Sequence, residues 1–112
     1  MPKSSPIHSV ESMRIDKWLW AARFFKTRSL SKSAIEGGKV HHNGERVKVS
    51  KEIRVGMELT IQQGFERKTI VIHALSAQRG SAAMAQLLYA ETDVSVARRE
   101  LLSTQRKLHN LA

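Results

Sequence analysis

Basic and aromatic side chains are concentrated in residues 17–34, KWLWAARFFKTRSLSKSA, which hold four large aromatics, five basic residues and no acid. Lysine and arginine contact phosphate oxygens, and exposed aromatic rings stack on unpaired bases. The wider range 14–48 contains nine basic residues and three acids, a net charge of +6 out of +9 for all 112 residues. This clustering favours binding to a polyanion, and the charge alone leaves both RNA and DNA open.

Catalytic and metal-binding chemistry is poorly supported by the residue types. The chain has five histidines but no cysteine, and His41 and His42, adjacent in a predicted strand, point to opposite faces and cannot chelate one ion together. No serine lies in a nucleophile-elbow pattern, and Gly37-Gly38 follows a helix rather than opening one, unlike a phosphate-binding loop. We therefore expect no enzyme activity, no metal and no cofactor.

Two predicted helices carry the basic stretch. Residues 1–13 predict a flexible arm, and 14–112 a single domain with a helical extension over about 80–111. A first helix begins near Arg14 and has two faces. Its core face contains Ile15, Trp18, Leu19, Ala22 and Phe25, and its other face combines the cations with Trp20 and Phe24. A second, short helix is capped by Thr27 or Ser29 and ends at Gly37-Gly38.

A small sheet and two further helices follow. Asn43-Gly44 is typical of a type I′ hairpin turn, which pairs Val40 with Val47, His41 with Arg46 and His42 with Glu45. Strands are predicted in MELTIQ (57–62) and KTIVIHAL (68–75), and helices in SAAMAQLLYA (81–90) and after Thr92. The last helix has an apolar stripe, interrupted by Thr104, that consists of Val94, Ala97, Leu101, Leu108 and Leu111. We expect this stripe to be buried, with the first helix as a natural partner. Trp20 and Phe24 either stack on bases or, as we favour, pack against the C-terminal helices.

The segment RIDKWLWAARFFKTRSLSKSAIEGGKVHHNG resembles the RNA-binding domain first defined in ribosomal protein S4. It has that family's Arg-x-Asp helix start, Ser/Thr-Arg turn, Ile-x-x-Gly helix end and Val-x-x-Asn-Gly hairpin. The spelling DKWLWAARFFKTRSL, with the later LLYAET, is more narrowly similar to the ribosome-associated heat shock protein 15 family. The resemblance implies an α+β fold, in which an αα-hairpin packs on a small antiparallel-rich sheet and C-terminal helices follow.

The resemblance also implies a partner and a site. Members of the family bind free large ribosomal subunits that still hold a nascent chain on tRNA, so the expected partners are large-subunit ribosomal RNA and peptidyl-tRNA. Asp16 is expected to cap or orient the first helix rather than touch RNA. The RNA-facing positions implied by the family motif are Arg14, Lys17, Arg23, Lys26, Thr27, Arg28, Ser29, Lys32, Lys39, His41, Asn43 and Arg46.

The sequence also gives expectations about the cellular compartment and the oligomeric state. The first residues lack the apolar run of a signal peptide, and no run approaches the roughly 20 residues needed to cross a bilayer. We expect a cytoplasmic monomer that makes no membrane contact. Two other classes stay open: a chaperone-like adaptor that uses the C-terminal apolar stripe and carries incidental charge, and, less favoured, a basic protein of the membrane surface.

Overall fold

The computed structural model describes residues 11–111. Over that range the chain forms seven strands and four helices, which follow one another as β1 (Met13–Arg14), α1 (Ile15–Ala21), α2 (Arg28–Glu36), β2 (Val40–His42), β3 (Glu45–Arg46), β4 (Glu52–Ile53), β5 (Glu58–Gln63), β6 (Glu66–Ile72), α3 (Ala82–Gln86), β7 (Tyr89–Glu91) and α4 (Asp93–Asn110). Residues 1–10 of the predicted arm lie outside the described residues. Met13, which the sequence places at the end of that arm, pairs instead with Ile53 in a two-stranded sheet of β1 and β4.

The main sheet has five antiparallel strands in the order β3-β2-β5-β6-β7. Its first hairpin has the predicted turn, because Asn43 and Gly44 adopt φ values of 53° and 81°, as a type I′ turn requires. The predicted pairs of His41 with Arg46 and His42 with Glu45 are confirmed. Val40 pairs with Ile61 of β5 rather than with Val47, since β3 ends at Arg46.

The core lies between α1, α2 and the sheet. Four of the five residues assigned to the core face of α1 are buried, and Phe25 is half-buried against the core. The assignment of Phe24 to the exposed face is wrong. Helix α1 ends at Ala21 and Arg23 adopts a left-handed φ of 66°, which turns Phe24 inward. Its ring centroid lies 4.6 Å from that of Tyr89 and 6.0 Å from that of Trp18.

The region after Ser81 differs most from the sequence prediction. Helix α3 ends at Gln86, and the residues predicted to continue it form β7, in which Tyr89 pairs with Ile72 of β6. Phe24 therefore packs on a strand and not on the C-terminal helices. Nor does α1 bury the apolar stripe of α4, because Val94, Leu101, Leu108 and Leu111 are all exposed. Across residues 11–111 no helix has the length and apolar character needed to span a membrane.

Candidate nucleic-acid interface

A buried carboxylate joins the starts of the two N-terminal helices. Asp16, in the first turn of α1, is fully buried. Its two carboxylate oxygens accept hydrogen bonds from Arg14 Nε at 3.1 Å and from Arg28 Nε at 3.1 Å. Its main-chain carbonyl accepts one from Ser31 Oγ at 2.9 Å. These bonds fix α2 against α1 and hold two guanidinium groups side by side at the surface.

The electrostatics of Asp16 follow from those two arginines. Burial by itself raises the pKa of the Asp16 carboxyl, but the hydrogen bonds and positive charges of Arg14 and Arg28 outweigh it and bring the pKa below its ordinary value. Asp16 therefore stays ionised. Both arginine side chains keep more than two fifths of their surface exposed, so they remain accessible to a phosphate while paired.

The N-terminus of α2 presents backbone donors beside these cations. Thr27 is the N-cap, and its hydroxyl accepts from the Leu30 N–H at 3.0 Å. The first main-chain helical bond runs from the Ser31 N–H to the Thr27 carbonyl, so the N–H groups of Arg28 and Ser29 precede the helical ladder. Such an N-terminus carries a partial positive charge that favours an anion.

Arg46 ties the β2–β3 hairpin to the other end of α2. Its Nη2 donates to the Glu36 carbonyl at 2.7 Å, one of the last carbonyls of the helix. The guanidinium crosses over Gly38, where an added Cβ would lie 3.2 Å from Arg46 Nε. Gly38 has a φ of 77°, so glycine supplies both the conformation and the space at this junction. The hairpin is thereby held at a fixed angle to α2.

The predicted site residues fall into two groups and one outlier. Seven lie around the beginnings of α1 and α2: Arg14, Lys17, Lys26, Thr27, Arg28, Ser29 and Lys32. Four lie at the end of α2 or on the hairpin it contacts: Lys39, His41, Asn43 and Arg46. Arg23 stands apart, since its left-handed backbone directs Nε to the Gly80 carbonyl at 2.7 Å.

Most of the cations in these groups carry uncompensated charge. In the part of the chain that the structure describes, ion pairs engage only two of the predicted site residues, Arg14 and Arg28, and both share the single charge of Asp16. Lys26, Lys32 and Lys39 are exposed. The surface is therefore strongly cationic, which suits a phosphate backbone.

Two further lysines, which the sequence reasoning did not select, line a depression of about 260 Å³ beside the hairpin. They are Lys48 and Lys51, and Arg46 lines the same depression. The Ile15 N–H donates to the Lys51 carbonyl at 2.8 Å, so this segment reaches the start of α1. In the sequence these lysines were visible only as further basic residues after the hairpin. The pairing of β1 with β4, which brings Lys51 to α1, has no local sequence signature.

Of the two aromatic residues considered for base stacking, Trp20 and Phe24, one remains available. Trp20 is half-buried on α1 and keeps part of its ring accessible, whereas Phe24 is buried in the core and is not available to a base. Among residues 11–111, no three His, Asp or Glu side chains come together as metal ligands. The arrangement is thus suited to holding phosphates, with room for one stacked base at Trp20.

Comparisons with known proteins agree with this geometry. The family model of the S4 domain matches residues 13–59. The chain is 55% identical to the heat shock protein 15 homolog of Haemophilus influenzae over 102 residues, covering 91% of this chain and 78% of that protein. A solved structure described as trimeric heat shock protein 15 of Vibrio cholerae is 52% identical and superposes with a TM-score of 0.84, covering 88% of this chain and 99% of the other.

A more distant relative matches part of the chain. The RQC P-site tRNA stabilizing factor of Bacillus subtilis is 35% identical over 63 residues, which cover 56% of this chain and 73% of that protein. The similarity to this protein therefore extends over little more than half of the chain, whereas the similarity to the heat shock protein 15 homologs extends over most of it.

Proposed function

Because the chain belongs to the heat shock protein 15 family of S4-domain proteins, we propose that it is an RNA-binding protein that associates with the large ribosomal subunit. The observation that carries this proposal is the cationic surface at the starts of α1 and α2, where Arg14 and Arg28 converge on Asp16 beside exposed lysines. Phosphate contacts from these side chains provide affinity, and the fixed angle between α2 and the hairpin selects the shape of the RNA.

The preferred form of the partner is a free large subunit that still holds a nascent chain on tRNA. This finer proposal is supported by the 35% identity to a protein named as an RQC P-site tRNA stabilizing factor. It rests also on the family resemblance of the segment from Arg14 to Gly44. In this role the protein acts under heat stress, contacts ribosomal RNA and peptidyl-tRNA, and holds them in place.

The proposal assigns binding and no reaction, and it places the protein in the cytoplasm with the ribosomes. One chain suffices for the RNA contact, because both groups of candidate residues come from the same copy. The Vibrio cholerae relative is described as trimeric, whereas a monomer is expected from this sequence. We propose that the RNA-bound unit is a single chain, whatever number of copies is present in the free protein.

Sedimentation of ribosomes tests the partner. The tagged chain, in lysate of heat-stressed cells, is expected to migrate with free large subunits at low salt and to leave them as salt rises. Releasing the nascent chain from the peptidyl-tRNA with puromycin is expected to reduce that association. A chain that stays at the top of the gradient at low salt contradicts the proposal and favours the adaptor alternative.

Two charge variants make the sedimentation test specific. Lys26→Ala combined with Lys32→Ala removes two exposed cations from the candidate interface and should release the protein from subunits at lower salt. Arg67→Ala combined with Arg106→Ala removes two exposed cations on β6 and α4 and should leave the association unchanged. Equal loss in both pairs would mean that net charge, and not this surface, determines binding.

A further inference from the structure

Helix α4 packs on the sheet with its polar side. Ser95 accepts a hydrogen bond from the Thr69 N–H at 2.9 Å and donates one to Glu91 at 2.6 Å. One turn on, Arg99 donates to both carboxylate oxygens of Glu91 at 2.8 and 2.7 Å. These bonds join α4 to β6 and β7. The side of α4 that meets the sheet is therefore held largely by polar contacts, unlike the usual amphipathic helix with its apolar stripe inward.

A row of apolar residues of α4 lies on the side opposite these contacts, whereas Val96 and Leu102 are closer to the sheet side. At 3.6 residues per turn, the direction of Ser95 and Arg99 is opposite that of Leu101 and Leu108. Leu101 is 58% exposed, Leu108 61%, and Val94 69%. Exposed large apolar side chains are ordinary when they are scattered, but several aligned on one helix face mark an interaction surface.

The spacing of the row is that of a coiled-coil seam. Its members alternate by three and four residues from the beginning of the helix to its end: Val94, Ala97, Leu101, Thr104, Leu108 and Leu111. These positions correspond to a and d of successive heptads, and they repeat every 3.5 residues rather than every 3.6. A row with this period fits a second helix that lies alongside α4. Binding to a flat surface or to a folded RNA would not require this period.

The charges beside the row suit a second copy in parallel. Asp93 precedes the first a position and is a g residue, whereas Arg98 is an e residue, five positions further on. In parallel coiled coils a g residue of one chain faces the e residue five positions on in its neighbour. Asp93 of one copy would thus face the opposite charge of Arg98 in the next, and Glu100 would face the neutral Gln105.

We infer that the outward row of α4 is a self-association surface, on which the α4 helices of further copies of this chain pack in parallel. Identical helices place Leu101 against Leu101 and Leu108 against Leu108 around a symmetry axis, and the Asp93–Arg98 contact repeats at each interface. The surface uses the side of α4 turned away from the sheet, and α4 follows β7 at the edge opposite the β2–β3 hairpin. Self-association and RNA binding are therefore independent.

Light scattering on a sizing column tests whether the surface works. The seam has fewer than three heptads and is weak by itself, so the chain is injected at about 100 µM, where a mass of at least two copies is expected. Leu101→Glu combined with Leu108→Glu should return the monomer mass. Because both side chains are exposed, its melting curve should match that of the natural chain at a dilution that keeps both monomeric. Leu87→Glu, at a leucine that follows α3 and is 67% exposed, is the matched control and should still associate. A monomeric wild-type chain at this concentration overturns the inference.

Single cysteines test the parallel arrangement, since the natural chain has none. Val94→Cys and Leu108→Cys, each alone, should form disulfide-linked dimers on mild oxidation, because parallel helices place identical a positions opposite each other. Arg106→Cys, on another side of α4, should not. An antiparallel pair would link Val94→Cys only when it is mixed with a variant near the other end of the helix, and that result would overturn the parallel packing.

The two proposals fail separately. A chain that stays monomeric but migrates with large subunits contradicts the self-association surface and leaves the proposed function standing. A chain that associates through α4 but does not migrate with large subunits contradicts the proposed function and leaves the self-association surface standing. The Leu101→Glu, Leu108→Glu double variant should sediment with large subunits as the natural chain does, because it leaves the cationic surface intact.

Discussion

At the scale of single residues, Asp16 connects stability with the candidate interface. Its carboxylate is fully buried, and the two arginines that neutralise it are among the residues that we propose contact RNA. In the proposed interface an arginine at this junction has two roles, since it keeps a buried charge satisfied and would offer its remaining donors to phosphate. The sequence indicated that Asp16 orients a helix, but the partnership with Arg28, twelve residues away, required the fold.

Arg28 and Lys32 should separate these two roles. Arg28→Ala should weaken RNA binding and also lower the free energy of unfolding by about 1 kcal/mol, because Asp16 then keeps only Arg14 as a charged partner. Lys32→Ala should weaken RNA binding by a similar amount and leave stability within about 0.5 kcal/mol. Urea unfolding and RNA titration measure both effects, with Arg106→Ala as the control for lost charge. Normal RNA binding by folded Lys32→Ala would remove that residue from the interface.

Acid should destabilise the fold through two carboxyls. Burial raises the pKa of Asp16 but Arg14 and Arg28 lower it further, and the hydrogen bond from Arg99 lowers the pKa of Glu91. Both folded-state values lie below those of the unfolded chain, so their stabilisation is complete above about pH 5 and is lost as the pH falls through the folded-state values.

The urea midpoint measured between pH 7 and pH 3 tests this dependence. It should fall with pH in the natural chain and fall less steeply in Asp16→Asn, which is less stable at pH 7 but has no charge to lose at that position. Parallel curves for the two proteins would show that Asp16 does not contribute to the acid dependence.

At the scale of elements, the sequence predicted best where the signal was local. The Thr27 cap, the stop at Gly37-Gly38 and the Asn43-Gly44 turn each depend on a few neighbouring residues, and α2 and the first hairpin formed as expected. The end of α1 and the strand β7 were missed because they depend on distant partners. Phe24 turns inward to meet Tyr89, 65 positions away in the chain, and Tyr89 is extended because it pairs with Ile72.

The junction of α2 with the hairpin should be sensitive to Gly38. An alanine there meets an unfavourable φ of 77° and a Cβ position 3.2 Å from Arg46 Nε, so the Arg46 guanidinium must shift by a few tenths of an ångström where it contacts the Glu36 carbonyl. We expect Gly38→Ala to lower stability by about 1–2 kcal/mol and to weaken RNA binding.

Gly64→Ala is the matched control for that variant. Gly64 also has a positive φ, 61°, but no atom lies within 4 Å of its added Cβ. Gly64→Ala should therefore lower the stability measured by thermal unfolding by a similar amount, and it should leave the RNA affinity unchanged. If Gly38→Ala binds RNA as well as Gly64→Ala does, the position of Arg46 is not part of recognition.

At the scale of the whole molecule, the two surfaces lie on different parts of the fold. The cationic group is built on α1, α2 and the hairpin that begins the sheet order, and the apolar row is on α4, next to the strands that end it. Composition and motif were sufficient to predict the first, because charge density and the S4 pattern are visible in the sequence. They did not predict that α4 turns its apolar row outward, since that depends on the bonds of Ser95 and Arg99 to Glu91.

The salt dependence of RNA binding measures how many phosphates the first surface contacts. Six of the eight candidate arginines and lysines have no carboxylate partner within the described residues, so four to six phosphate contacts are expected, a slope of log K against log salt of roughly −3 to −5. Replacing either exposed lysine of the interface, Lys26 or Lys32, by alanine should make the slope less steep by roughly 0.7–0.9. Arg106→Ala should leave the slope unchanged. Titrations with the monomeric Leu101→Glu, Leu108→Glu variant should give the same slope as the natural chain, because assembly through α4 adds no phosphate contact to the RNA-bound unit. A flat salt response would mean that the cations are solvated surface and that the partner is recognised through apolar contacts, which would move the search for function to α4.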